Sequence, residues 1–246
     1  MELILLAAAG FIASVLNALA GGGALVTLPA LILSGLDART ANMTSIVALF
    51  PGQIAIAWTG REAASGVGGV PLAALVGAGL AGGLCGALLL IATPGAVFAG
   101  IVPWLIAFAT LVLLLEPRLS GFIEIDRPSR WTILAGTALI SVYGGYFGGG
   151  VGFIIIAALT LAGATTRAAG ATKNVMAAGF NATAILAYGL SGEVDSGKAA
   201  AVALGALAGG FSGGWMQRSL PEILLRRIIL ALGLGLTAWL LLRSRS

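Results

Sequence analysis

Asn17, Thr27, Asn42, Thr44, Ser45 and Gln53 interrupt apolar stretches in the first half of the sequence, and Ser141, Tyr143, Tyr146, Thr172, Lys173, Asn174 and Asn181 do so in the second. All but Lys173 are uncharged, so the chemistry on offer is hydrogen-bond donation to an oxyanion, with one ammonium to add positive potential. The acids stand elsewhere: Glu2, Asp37, Glu62, Glu116, Glu124, Asp126, Glu193, Asp195 and Glu222 all fall in predicted connections or at predicted helix ends. A charge at mid-bilayer costs at least about 2.5 to 3.5 kcal/mol, so a proton or cation relay would show as carboxylates retained inside apolar segments. None is there, which argues against a carboxylate-based pump and against an acidic ring for cations. There is no histidine, and the single Cys85 sits in an apolar run. This excludes an intrachain disulfide and argues against a zinc or iron site. No catalytic residues, metal or cofactor are expected, and the pattern is not that of an enzyme. The one nucleophile and base it could offer is Ser45 with Lys173.

These positions gather around two glycine runs, Gly21-Gly22-Gly23 and Gly148-Gly149-Gly150, each followed by a short apolar stretch. Glycine there weakens a helix that would otherwise continue and lets another backbone come close. A helix restarting after such a break presents free N–H groups and the positive end of its dipole, which is an anion site without formal charge. The candidate substrate-binding set is therefore Asn17, Gly21, Gly22, Gly23, Thr44, Ser45 and Gln53 from the first half, with Tyr143, Gly148, Gly149, Gly150, Lys173, Asn174 and Asn181 from the second. Each amide or hydroxyl also has a packing reading, as glue between membrane helices. Lys173, six residues after Arg167, can instead snorkel to the membrane surface.

The elements that position these residues are membrane helices. Of 246 residues 59% are hydrophobic and only 9% charged, against about 25% charged in a soluble domain. The fold class is all-α and polytopic; alternating ten-residue segments, the mark of a β-barrel, are absent. Apolar runs predict helices over 2–20, 24–34, 40–59, 67–91, 96–115, 131–147, 151–162, 168–189, 198–217 and 222–242. The net charge of +4 reports topology rather than nucleic-acid binding. Ala18-Leu19-Ala20 imitates a leader cleavage site, but 131–148 places an equivalent segment before the second glycine run, so the first helix is expected to be kept.

The chain divides into a first repeat over 1–115, a polar connection over 116–130 and a second repeat over 131–246. An offset of 128 aligns Gly21, Gly22, Gly35, Arg39, Ala41 and Thr44 with Gly149, Gly150, Gly163, Arg167, Ala169 and Thr172, among ten identities in the 34 pairs from residue 21 to 54. So biased a composition gives roughly one in nine by chance. The same offset pairs Gln53 with Asn181, Ser45 with Lys173, and a glycine face at Gly77, Gly82 and Gly86 with Gly205, Gly210 and Gly214; such faces let helices approach closely. The stretches 24–34 and 151–162 span only about 16 to 18 Å as helix, half the hydrocarbon thickness. If each returns as a hairpin with the helix before it, nine basic residues share one side of the membrane and four the other; otherwise the split is seven to six. The positive-inside rule favours the hairpins. The expectation is an inverted repeat, with a cytoplasmic connection and both termini outside.

Ala20-Gly21-Gly22-Gly23, Leu28-Pro29, Gly35, the run from Ala41 to Thr44-Ser45, Pro51, the stretch Tyr143-Gly144-Gly145-Tyr146-Phe147-Gly148-Gly149-Gly150-Val151-Gly152 and Asn174 closely resemble the paired signatures of the TauE/SafE sulfite exporter family. The resemblance covers essentially the whole chain. It implies a secondary transporter of the prokaryotic plasma or inner membrane that moves small sulfur-containing or organic anions such as sulfite, sulfonates or sulfoacetate, and it alone implies the outward direction. The expected partners are that anion and the lipid bilayer. A coupling ion, H+ or Na+, and homo-oligomerisation stay open, as do an anion channel built from the same donors and a membrane scaffold, which would not need polar residues collected at the breaks.

Overall fold

In the computed structural model, residues 1–19, 21–122, 128–216 and 234–235 are described, and among them the chain is helical. The helices are α1 (Glu2–Leu19), α2 (Ala24–Leu33), α3 (Ala38–Gly60), α4 (Leu72–Ala92), α5 (Gly95–Phe122), α6 (Arg130–Tyr146), α7 (Val151–Leu161), α8 (Thr166–Ser191) and α9 (Ser196–Met216). Five helical stretches are long and apolar enough to cross a membrane: Glu2–Leu19, Ala38–Ala63, Leu72–Ala92, Gly95–Val112 and Ser196–Met216. The protein is thus an all-α, polytopic membrane protein. The predicted helix over 222–242, apart from residues 234–235, and residues 123–127 of the predicted connection lie outside the described residues.

Two predicted boundaries move. Residues 67–71 do not begin α4: Val67 and Val70 exchange backbone hydrogen bonds of 3.0 and 2.9 Å around Gly68-Gly69, and Pro71 caps the helix that follows. A two-residue turn with φ of 54° and 76° is the tight hairpin that paired glycines favour. At the other end of the first repeat, α5 runs on to Phe122 instead of stopping at 115.

Both glycine runs break the helix where expected. After each break the short helix ends on the same device. Gly35 and Gly163, 128 residues apart, adopt φ of 95° and 98°. Gly35 and Leu36 donate back to Ile32 and Leu31, as Gly163 and Ala164 do to Thr160 and Leu159. This is the reciprocal helix end that needs a left-handed residue, which glycine adopts without a Cβ penalty.

Helix α3 starts on a conventional cap. The Asp37 carboxylate accepts from the Arg39 and Thr40 amides at 3.0 and 3.1 Å. Burial pushes its carboxyl up, but the hydrogen bonds from Thr40 and Arg39 and the Arg39 charge outweigh this and hold it below the ordinary carboxylate value. A lowered value means that the cap stabilises above the ordinary carboxylate range and is lost as pH falls through the folded-state value. Asp37→Ala is expected to lower stability by about 1 kcal/mol at neutral pH, with the difference vanishing in acid; denaturant titration in detergent at two pH values checks both.

The two ends of the bundle are defined by contacts. At the first end Lys198 binds the Ser34 carbonyl and lies 3.4 Å from Glu2, so the start of α1 and the end of α2 share one surface. Arg39 pairs there with Glu193 at 2.5 Å and reaches the Ile91 carbonyl at 3.1 Å. At the second end, a Cβ on Gly68 would run into Ile133 and approach the Ala162 carbonyl, so the start of α6 and the end of α7 lie together. Helices α3 and α8 cross with the start of each against the end of the other. The Thr172 hydroxyl exchanges 3.0 Å bonds with the Ser65 backbone, and Thr44 accepts from the Asp195 amide at 3.2 Å. Packing follows the same exchange: α9 lies on α1 and α3, and α4 on α6 and α8.

Candidate functional site

The first break carries a buried polar network. The last turn of α1 carries Asn17, whose amide donates to Gln53 Oε1 at 2.6 Å, and Gln53 Nε2 donates to the Asn174 carbonyl at 3.1 Å. Lys173, only 2% exposed, donates from Nζ to the Asn17 carbonyl at 3.0 Å. That carbonyl also takes the Gly21 amide at 3.0 Å. Lys173 therefore sits on the C-terminal, negative end of the broken helix, where the dipole favours a cation. No carboxylate pairs with it among the described residues, whose ion pairs are Arg39 with Glu193 and Lys198 with Glu2. Beside it Asn174 is 1% exposed, and among the described residues neither its Nδ2 nor its Oδ1 has a partner. A buried amide without partners is an expensive exception in a folded protein.

The second break is tied down differently. Asn42, fully buried, donates to the Tyr146 carbonyl at 3.0 Å, and the Tyr188 hydroxyl donates to the Gly145 carbonyl. The Tyr143 hydroxyl reaches the Gly149 carbonyl at 2.8 Å and the Leu105 carbonyl at 3.3 Å, fastening the run to α5. The C-terminal carbonyls of α6 are thus held by neutral groups, whereas that of α1 is held by an ammonium.

The two breaks touch. A Cβ on Gly21 would lie 2.5 Å from the Gly152 Cα and 3.1 Å from its nitrogen, so the runs meet backbone to backbone. Gly148 packs on Ile46 of α3. Gly23 and Gly150 are the residues from which α2 and α7 restart. Among the described residues the amides of Gly149, Gly150, Val151 and Gly152 meet no acceptor. Such N–H groups at a helix start attract an anion.

Of the residues predicted from sequence, Asn17, Gln53, Lys173, Asn174, Gly21 and Gly23 surround the first break, and Tyr143, Gly148, Gly149 and Gly150 the second. Gly22 accepts from Leu25 in the turn that opens α2. Thr44 closes the bundle against Asp195, as Thr172 does against Ser65, so neither hydroxyl is turned to the network. Ser45 is held by Thr27 at 2.5 Å and Lys173 by Asn17, so Ser45 and Lys173 do not bond each other. Asn181 is half-buried with its Oδ1 unpartnered. The candidate set did not include Asn42 or Tyr188. Asn42 is visible as a polar residue in an apolar run, but its repeat counterpart is Gly170, and that of Tyr188 is Gly60, so the repeat gave neither any emphasis.

A bundle of apolar helices that encloses a polar core at two helix breaks is the architecture of a membrane transporter. The chain belongs to the Sulfite exporter TauE/SafE family, whose sequence profile matches residues 6–240. It is similar to a probable membrane transporter protein of Haemophilus influenzae, 28% identical over 242 residues that span 96% of this chain and 93% of that one. The probable membrane transporter protein YfcA of Escherichia coli K12 is 30% identical over 244 residues, 96% of this chain and 87% of the relative. The probable membrane transporter protein ORF9 of a Sinorhizobium species is 32% identical over 162 residues, 63% of this chain and 60% of the relative's length. No solved structure matches the chain.

Proposed function

We propose that this transporter moves a small sulfur-containing or organic anion of the sulfite, sulfonate or sulfoacetate type across the prokaryotic plasma or inner membrane, outward, by alternating access between two inverted repeats. The observation that carries the reading is the buried Lys173 which, among the described residues, has no carboxylate beside it, next to an Asn174 amide whose two polar atoms have no partner among them. An oxyanion would accept from both groups and from the free amides at the start of α7. Inversion is supported by the two hairpins: α1 and α2 begin and end at the surface of Lys198, α6 and α7 at that of Gly68.

The second end is assigned to the cytoplasm. Arg61, Arg130 and Arg167 lie there, against Arg39 and Lys198 at the first end, and the positive-inside rule counts basic residues irrespective of paired acids. Trp58, Trp131 and Trp215 are exposed in end turns of α3, α6 and α9, where an interfacial aromatic belt would sit. Met1 is then outside, and the C-terminus is assigned there with it.

Flux of sulfite, sulfoacetate and a simple carboxylate into proteoliposomes tests the reading. Saturable flux of at least one, accelerated by an imposed proton or sodium gradient if such an ion is coupled, is the expected result. Folded, oriented protein that moves none would end the transporter-of-anions reading, and unitary conductance without saturation would make the protein a channel.

A further inference from the structure

We infer that the ion pair of Arg39 and Glu193 is a latch that holds the outer end of the transporter shut and parts each time the protein opens to the outside. The latch rests on the alternating-access reading and the orientation proposed above, and it adds to them the residues that close one of the two ends.

The pair lies where the two halves of the chain meet at the first end of the bundle. Arg39 belongs to the first turn of α3, in the first half, and Glu193 to the connection between α8 and α9, in the second. The same connection and the turn after it carry further polar bonds across that end. The Asp195 amide donates to Thr44, and Lys198 binds the Ser34 carbonyl and lies against Glu2. Residues 193–198 are thus one short segment of the second half fastened to α1, α3 and the end of α2. Drawing that segment away, as opening requires, breaks charged bonds.

The repeat does not supply the same device at the second end. With the offset of 128, Arg39 corresponds to Arg167, but Glu193 corresponds to Ser65 and Lys198 to Val70. Arg167 is exposed, and Val67 and Val70 are buried in an apolar cluster with Ile133, Leu159 and Ala169. Both ends keep a threonine clasp, Thr44 on Asp195 and Thr172 on Ser65. One end has ions beside its clasp, and the other has packed valines.

Arg39 is held as a part that releases. Its Nη2 makes both bonds, to Glu193 and to the Ile91 carbonyl in the last turn of α4, while Nε is buried and has no partner among the described residues. A buried donor left unpaired costs free energy that water would return on opening. Against this, the half-buried pair attracts more strongly than it would in water. Opposing contributions of this kind let one ion pair shift the balance between closed and open states.

Thr44 is fully buried, little more than a turn beyond Arg39 on α3. In a Cys85→Ser background, Thr44→Cys in oriented proteoliposomes is read by its rate of reaction with a membrane-impermeant maleimide at the outer face. Adding Glu193→Gln is expected to raise that rate about 10-fold. Arg39→Gln, alone or with Glu193→Gln, is expected to reach the same rate within about 2-fold, because one pair is lost only once. Thr172→Cys, probed from the second end in the same backgrounds, is expected not to speed up. A Thr44→Cys rate that ignores Glu193→Gln, or a rise at both ends, overturns the latch, the second outcome making the pair a fastening of the fold as a whole. Saturable flux of sulfite, sulfoacetate or a simple carboxylate is measured on the same vesicles. Its absence for all of them overturns the transport reading beneath the latch, whereas flux with unmoved labelling overturns the latch alone.

Discussion

Lys173→Met is expected to abolish measurable anion transport, lowering kcat/KM on the order of 100-fold or more, while the empty protein stays folded and melts at the same temperature or higher. Losing one member of a buried charge pair costs about 2 to 5 kcal/mol, and here the pair exists only when the anion is bound. The empty protein has the opposite balance. Methionine is close in volume and removes an ammonium that has a single acceptor, and exchanging buried charge for a packed apolar side chain is often neutral or stabilising. The Asn17 carbonyl keeps its bond from the Gly21 amide, so the tip of α1 retains a partner. Flux and thermal denaturation on the same preparation separate the roles. A large fall in melting temperature with transport preserved would make Lys173 a structural pin for the first hairpin.

The breaks, the repeat and the membrane class were legible because each leaves a one-dimensional mark. Glycine in an apolar run marks a helix end, and Gly35 with Gly163 marks the reciprocal end of the short helices. Partners were not legible. Asn174 and Thr172 are two residues apart on one helix, yet one faces the enclosed network and the other the backbone of Ser65. Sequence spacing alone does not say which neighbour each meets, because α3 and α8 cross in opposite directions. Lys173 could have been an interfacial lysine on its distance from Arg167. It is inside because the last turn of α1 offers it the Asn17 carbonyl.

Repeat equivalence has a limit that one comparison makes measurable. Gly77 of α4 and Gly205 of α9 occupy the same repeat position and the same kind of glycine face. Among the described residues a Cβ on Gly77 would meet nothing within 4 Å, whereas one on Gly205 would collide with the Ala7 carbonyl and come within 2.9 Å of the Phe11 nitrogen. Backbone of a packed helix cannot turn aside as a side-chain tip can, so α1 and α9 would have to separate. Overpacking of this kind typically costs 1 to 3 kcal/mol, and Gly205→Ala is expected near the upper end, about 3 kcal/mol. Gly77→Ala is expected to be neutral or to stabilise by up to about 1 kcal/mol, the helix propensity of alanine over glycine. Unfolding in mixed detergent reads both. Because α9 carries the start of the Lys198 contact and α1 carries Asn17, Gly205→Ala should also weaken anion-dependent stabilisation, and Gly77→Ala should not. Equal losses at the two positions would mean that α4 is packed as tightly on its outer face as α9 is on α1, contrary to the open space beside Gly77.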